Sequence, residues 1–435
     1  MITRALLTIA GVAALTYATR SFVPQGATIT GSGAALAFGF LLIVAVQAAH
    51  LCDAAKIPRL TGYILVGIFF GPDVIGLVSR KMLPDLALVK GTAVGLIAFL
   101  AGCELNMRRL RPRLRAIGTA SVLTMIAAAL LLFALFYGIT HILPATAGYT
   151  TVQRIVVALV AANVLAAYSP AVVVGILSET KAAGPLSETT LSIVVLADLI
   201  IVVTYALSST FGHIVFPGSG GGGLALLVPH LFGSIAAGAV AGGVLALYVS
   251  RIGARSGIFT FALLFIAAEA GEALHLNPLL IGLTAGLLLE NVTEIGGERL
   301  AHAASGVAMP TFAIFFAVVG AEIPLGAFFG TAPFALAAAM IRGAGIYAGA
   351  RIAGRVAGMD ATFTRRLTLG LLPQAGVAIA LVALLLADFS PWGRVVGTIV
   401  LGTIIVNQLI GPVLFRNAII AAGESRHEAE RRRLV

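Results

Sequence analysis

Long apolar runs separated by short polar clusters repeat along the whole chain. About fourteen of these runs are long enough, or nearly so, to cross roughly 30 Å of hydrocarbon at 1.5 Å per residue. They fall at 3–19, 33–51, 58–78, 86–105, 116–143, 151–178, 186–212, 224–250, 257–274, 277–291, 305–325, 332–354, 366–388 and 393–420. The pattern predicts an all-α polytopic membrane protein with about 13–14 transmembrane helices. The first run, with Arg4 before a short apolar stretch rich in alanine, has the make-up of a signal peptide as well as of a membrane helix, and it is counted here as retained.

Composition agrees with this. Of 435 residues, 59% are hydrophobic and 11% charged, against about 25% charged residues in soluble domains. The net charge of +10 would suggest nucleic acid as a partner in a soluble protein. Here the basic residues collect in the short clusters between apolar runs and read as topology. With the amino terminus inside, the cytoplasmic side receives Arg4, Lys56, Arg59, the Arg108 to Arg115 run, Lys181, Arg251, Arg255, Arg299, Arg351, Arg355, Arg365, Arg366, Arg416, Arg426 and Arg431 to Arg433. The opposite side receives only Arg20, Arg80, Lys81, Lys90 and Arg394. Both termini are therefore expected inside. Cys52 and Cys103 make neither a disulfide framework nor a metal cluster, and the chain has no nucleophile–base pair or phosphate loop, so neither an enzyme nor a cofactor is expected.

Two ionisable residues lie deep within apolar segments: Asp198 in Leu191 to Val203 and Arg342 in Phe334 to Ile346. A charge at membrane depth costs roughly 2.5–3.5 kcal/mol on insertion scales and usually marks an ion or proton path. A carboxylate that holds either a proton or a cation, with a fixed positive charge as its partner, is suited to exchange. Two segments also carry interruptions: Tyr168, Ser169 and Pro170 in the sixth, and Pro373, Gln374 and Gly376 in the thirteenth. Proline removes a backbone donor and breaks the helix, and the two segments run in opposite senses. That is the pattern of inverted repeats whose two discontinuous helices cross at an ion site. Unwound carbonyls and the Ser169 hydroxyl would join Asp198 as ligands for a hard monovalent cation. Asn163, before the first break, and Glu269, in the outward half of the ninth segment, are candidates for a supporting shell; Glu269 also reads as a rim group.

The stretches Gly62 to Pro72, Phe99 to Leu105, Ser169 to Val174 with Ala197-Asp198, Phe315 to Gly320, Arg342 and Pro373 to Gly376 resemble, in order, the membrane domain of monovalent cation:proton antiporters of the Kef and Nap type. The resemblance implies the sodium/proton antiporter fold, a homodimer, a core moving against a scaffold by elevator-like alternating access, and sodium or potassium and protons as substrates. It assigns ion and proton binding to Asp198, with Arg342 as its basic partner. On this reading residues 1–32 are an extra helix and loop, 33–420 the exchanger domain with core helices in 116–212 and 332–420, and 421–435 a basic cytoplasmic tail. The setting is the bacterial inner membrane. Charge-moving relatives have two adjacent acids where this chain has Ala197 before Asp198, which implies electroneutral exchange. No nucleotide-binding domain is expected after the last segment. The alternative is a non-exchanging, channel-like or cation-sensing protein of the same architecture.

Overall fold

The computed structural model describes residues 2–22, 33–55, 57–111, 114–216, 223–252, 257–274, 276–293, 297–389 and 392–425. Most of the basic tail, 426–435, and the loop 23–32 lie outside the described residues. In chain order the helices are α1 Ile2–Phe22, α2 Ala34–Ala55, α3 Arg59–Phe70, α4 Ala87–Glu104, the short α5 Met107–Leu110, α6 Leu114–Ile139, α7 Thr151–Ala166, α8 Pro170–Thr180 and α9 Pro185–Val215. They continue with α10 Gly223–Ile252, α11 Gly257–Ala273, α12 Pro278–Asn291, α13 Gly297–Ala321, α14 Leu325–Ala357, α15 Ala361–Gly370, α16 Gly376–Asp388 and α17 Trp392–Ala422. Among the described residues, nine spans are long and apolar enough to cross a membrane, and shorter apolar helices fill the remaining segments. The protein is an all-α polytopic membrane protein.

Local chemistry sets the helix ends. Thr150 and Gln153 form a reciprocal capping box at the start of α7, and Asp360 accepts from the Thr362 and Phe363 amides at the start of α15. Backbone hydrogen bonds from the Phe363 and Thr362 amides hold the Asp360 carboxyl below the usual aspartate range. The third segment is shorter than its apolar run predicts. Gly71 precedes Pro72, which disfavours helical backbone at the residue before it, and Gly71 is extended at φ −69°, ψ 179°.

The chain divides into two compact units, one built from Met1–Asn106 and His230–Leu325, the other from Met107–Pro229 and Gly326–Val435. In the first, α4 packs along α12 and α3 along α13. Gly238 and Gly242 lie against Ile281 and Ala285 of α12, where a Cβ would overlap the backbone. In the second, α7 packs on α6 and α9, while α17 runs beside α7, α8, α15 and α16. Gly345 and Gly349 of α14 let it approach the backbone of α6 at Ala128 and Leu123. The amino-terminal turn of α9 is capped from far along the chain. Glu424 accepts hydrogen bonds from the Leu186 amide at 2.7 Å, the Ser187 amide at 2.8 Å and the Ser187 hydroxyl at 2.6 Å.

Candidate functional site

Both interruptions are real breaks, and both belong to the second unit. The first leaves 167–169 non-helical between α7 and α8. Pro170 stands at the first position of α8, where its missing N–H costs nothing, and the Ser169 hydroxyl accepts from the Val172 amide at 3.3 Å as the cap. The second leaves 371–375 non-helical, with Pro373 and Gln374 inside it and Gly376 opening α16. At each break one half-helix ends and another begins, so two carbonyl ends and two amide ends come to the middle of the unit.

Arg342 serves the carbonyl ends. It is fully buried. Its Nε donates to the Leu165 carbonyl at 2.7 Å, its Nη2 to Ala167 at 2.8 Å and Leu371 at 3.3 Å, and its Nη1 to Leu372 at 2.8 Å. The guanidinium also lies 5.6 Å from the centre of the Tyr168 ring, within cation–π range. A cation at the negative ends of two half-helices satisfies acceptors that lipid cannot. Arg342 is expected as the charge partner of Asp198; among the described residues no ion pair within 4.0 Å joins the two. The physical reason is that carbonyls of both breaks engage all three guanidinium nitrogens.

Gln374 converges on the same place. Its Nε2 donates to Leu165 at 2.9 Å and Ala167 at 3.1 Å. Asn407 of α17 donates to its Oε1 at 2.8 Å.

Asp198 is different. Its side chain is 2% exposed, and neither carboxylate oxygen has a hydrogen-bond partner among the described residues. Its position follows from the turn at Lys181–Gly184, which makes α8 and α9 antiparallel neighbours. Counting equal rises from that turn brings Asp198 level with the 167–169 break to within about one helical turn. Asn163 fixes α9 against α7 on the side of Asp198 away from the Lys181–Gly184 turn: it accepts from the Thr204 hydroxyl at 3.0 Å and donates to the Ser208 hydroxyl at 3.2 Å. Glu269 lies on α11, in the other compact unit, with its side chain exposed. Sequence reasoning missed Asn407. The signal was available, since Asn407-Gln408 is a polar pair within the apolar run Ile404 to Ile410.

A family profile described as sodium/hydrogen exchanger, transmembrane, matches residues 38–417. The chain belongs to the sodium/hydrogen exchanger family. Two solved structures of the sodium proton antiporter MjNhaP1 from Methanocaldococcus jannaschii share its fold. One, determined at pH 8, is 15% identical, with a TM-score of 0.65, and the match covers 90% of this chain and 98% of that one. The other, an electron-microscopy map, is 14% identical, with a TM-score of 0.69, covering 89% and 97%. No curated protein matches the sequence. The sodium/hydrogen exchanger fold, with its inverted repeats and two crossing discontinuous helices, is thus the architecture of this chain, and the family is one of transporters.

Proposed function

We propose that the chain exchanges a monovalent cation, sodium or potassium, for a proton at Asp198. The observation that carries this is the unpartnered buried carboxylate beside the first break. An ionised carboxylate without partners is too costly to persist in an apolar surround. A proton or a cation each removes that cost, so the two compete for one place. The Ser169 hydroxyl, which uses one lone pair on Val172, keeps another for the cation.

The two compact units suit an elevator-like cycle in which the unit holding both breaks moves as the core against the other as scaffold. Exchange is electroneutral on this reading. Ala197 supplies no second acid beside Asp198, and the site carries the same charge loaded with a proton or with one cation. Family resemblance supports a homodimer, and the basic-residue asymmetry supports an inner-membrane setting with both termini cytoplasmic.

The test is purified protein in vesicles holding a pH-sensitive dye. Adding sodium or potassium should move protons at a rate insensitive to an imposed potential, and comparing the two cations identifies the substrate. No proton movement with either cation would overturn the reading; steady currents would overturn electroneutrality alone.

A further inference from the structure

One face of α17 stands behind the two breaks. Thr403, Asn407 and Gly411 follow one another at four-residue spacing and so share that face. The Thr403 hydroxyl donates to the Ile399 carbonyl of its own helix at 2.9 Å and has the Ala335 carbonyl of α14, the helix that carries Arg342, at 3.4 Å. Gly411 lies directly against Pro373, where a Cβ would come within 2.7 Å of the proline Cα. Between them Asn407, 6% exposed, donates to Gln374 Oε1 at 2.8 Å.

The Gln374 amide is engaged at both ends. Its NH₂ group has two hydrogens and meets two acceptors, the Leu165 and Ala167 carbonyls. Turned over, the amide would set Oε1 against both carbonyl oxygens, acceptor to acceptor, and leave Nε2 against the Asn407 donor. The two carbonyls thus set the orientation, in which Gln374 and Arg342 hold the last carbonyls of α7 together, and the donor from α17 completes it by pairing Oε1.

We propose that Asn407 is a positioning residue for cation binding: acting through Gln374, it fixes the α7–α8 break beside Asp198 and thereby sets the cation affinity. The proposal rests on the exchange reading above, with Asn407 touching neither proton nor cation. Removing its donor leaves Gln374 Oε1 buried and unpaired. The break then loses its single geometry while the charge of the site is unchanged.

The experiment compares wild type, Asn407→Leu, Gln374→Leu and the double variant, with Thr398→Val on the exposed side of α17 as a control. Two readouts are used: the cation concentration for half-maximal exchange in vesicles, and the cation-dependent rise in melting temperature in detergent. Asn407→Leu should raise the half-maximal concentration about tenfold, the effect of one buried polar group left unpaired, and weaken the cation-dependent thermal shift, while the maximal rate changes less than twofold. In the Gln374→Leu background the same substitution should add less than a further twofold. A wild-type half-maximal concentration in Asn407→Leu, or losses that multiply in the double variant, would overturn the proposal. Should Asn407→Leu not fold, Asn407→Ser is read the same way, with an unchanged half-maximal concentration and thermal shift overturning it. Failure of wild type to exchange sinks the functional reading instead, and the thermal shift still tests Asn407.

Discussion

The break at 167–169 receives hydrogen bonds, whereas the break at 371–375 both receives and sends them. Leu165 and Ala167 at the first accept from Arg342 and from Gln374. The second offers Leu371 and Leu372 to Arg342 and contributes Gln374 as a donor. Their caps differ too: Ser169 caps α8 with its side chain, while Ala375 gives α16 no side-chain cap. Two interruptions that look alike as proline-bearing segments therefore do different work. The first lies level with Asp198 and is held in shape; the second is part of what holds it. Inverted repeats give both halves the same backbone plan, and side chains assign the roles.

The largest effect should come from the charge beside the held break. Asp198→Asn keeps the shape and loses the carboxylate proposed to cycle a proton, so vesicle exchange should fall to background with expression and size-exclusion profile unchanged. Wild-type proton flux would remove Asp198 from the mechanism.

Next comes the residue that joins the breaks. If Arg342 were a simple counter-charge, Arg342→Lys would retain much of its activity. Lysine has three donors at one point and cannot copy a planar fork spread over four carbonyls, so Arg342→Lys should lose at least about tenfold in exchange rate, the scale set by losing roughly 1.4 kcal/mol of a charged hydrogen-bond network. Near-full activity would show that charge alone matters and that the fork does not.

Ser169→Ala gives a smaller, sharper test of the asymmetry. It removes the cap of α8, worth about 1 kcal/mol, and should lower the melting temperature by a few degrees. Ala375→Gly at the other break, where no side-chain cap exists, should change the contribution of capping by no more than a few tenths of a kcal/mol. Equal losses would mean the two breaks are held alike.

The smallest effect lies where the helices enter. Asp360 caps α15, and its carboxyl titrates lower folded than unfolded. That contribution is therefore complete above the ordinary aspartate value and is lost as pH falls through the folded one. Asp360→Ala should lower the melting temperature slightly at pH 7 and not at all once the medium is acid enough to protonate the cap. A difference that persists in acid would place its role in packing.

Segments, breaks and the two deep charges were legible because each leaves a one-dimensional mark: apolar length, Pro170 and Pro373, and Asp198 and Arg342 standing in apolar runs. What Arg342 binds left no such mark. Its acceptors are backbone carbonyls, which every residue carries, so only the meeting of two broken helices selects Leu165, Ala167, Leu371 and Leu372. Asn407 was visible as a polar residue in an apolar helix, but its partner, 33 positions away, was not. The early end of α3 was written in Gly71-Pro72, outweighed in the reading by the apolar run on either side.

The cap that Glu424 places on α9 has a consequence for biosynthesis. The first turn of the helix bearing Asp198 is completed by a residue 238 positions downstream, so the ribosome must work on for roughly 10–50 s, at about 5–20 residues per second, after that helix has left it. Throughout that interval α9 sits in or near the bilayer with its leading amides uncapped. A nascent chain arrested before Glu424 should accordingly be cut by added protease in the 181–187 stretch, and the released chain carrying Glu424 should resist; equal resistance of both would show that the turn forms without its cap. The stretch at Glu424 thus acts as the closing stitch of a vectorial assembly, and the helix bearing Asp198 is finished long after it is made.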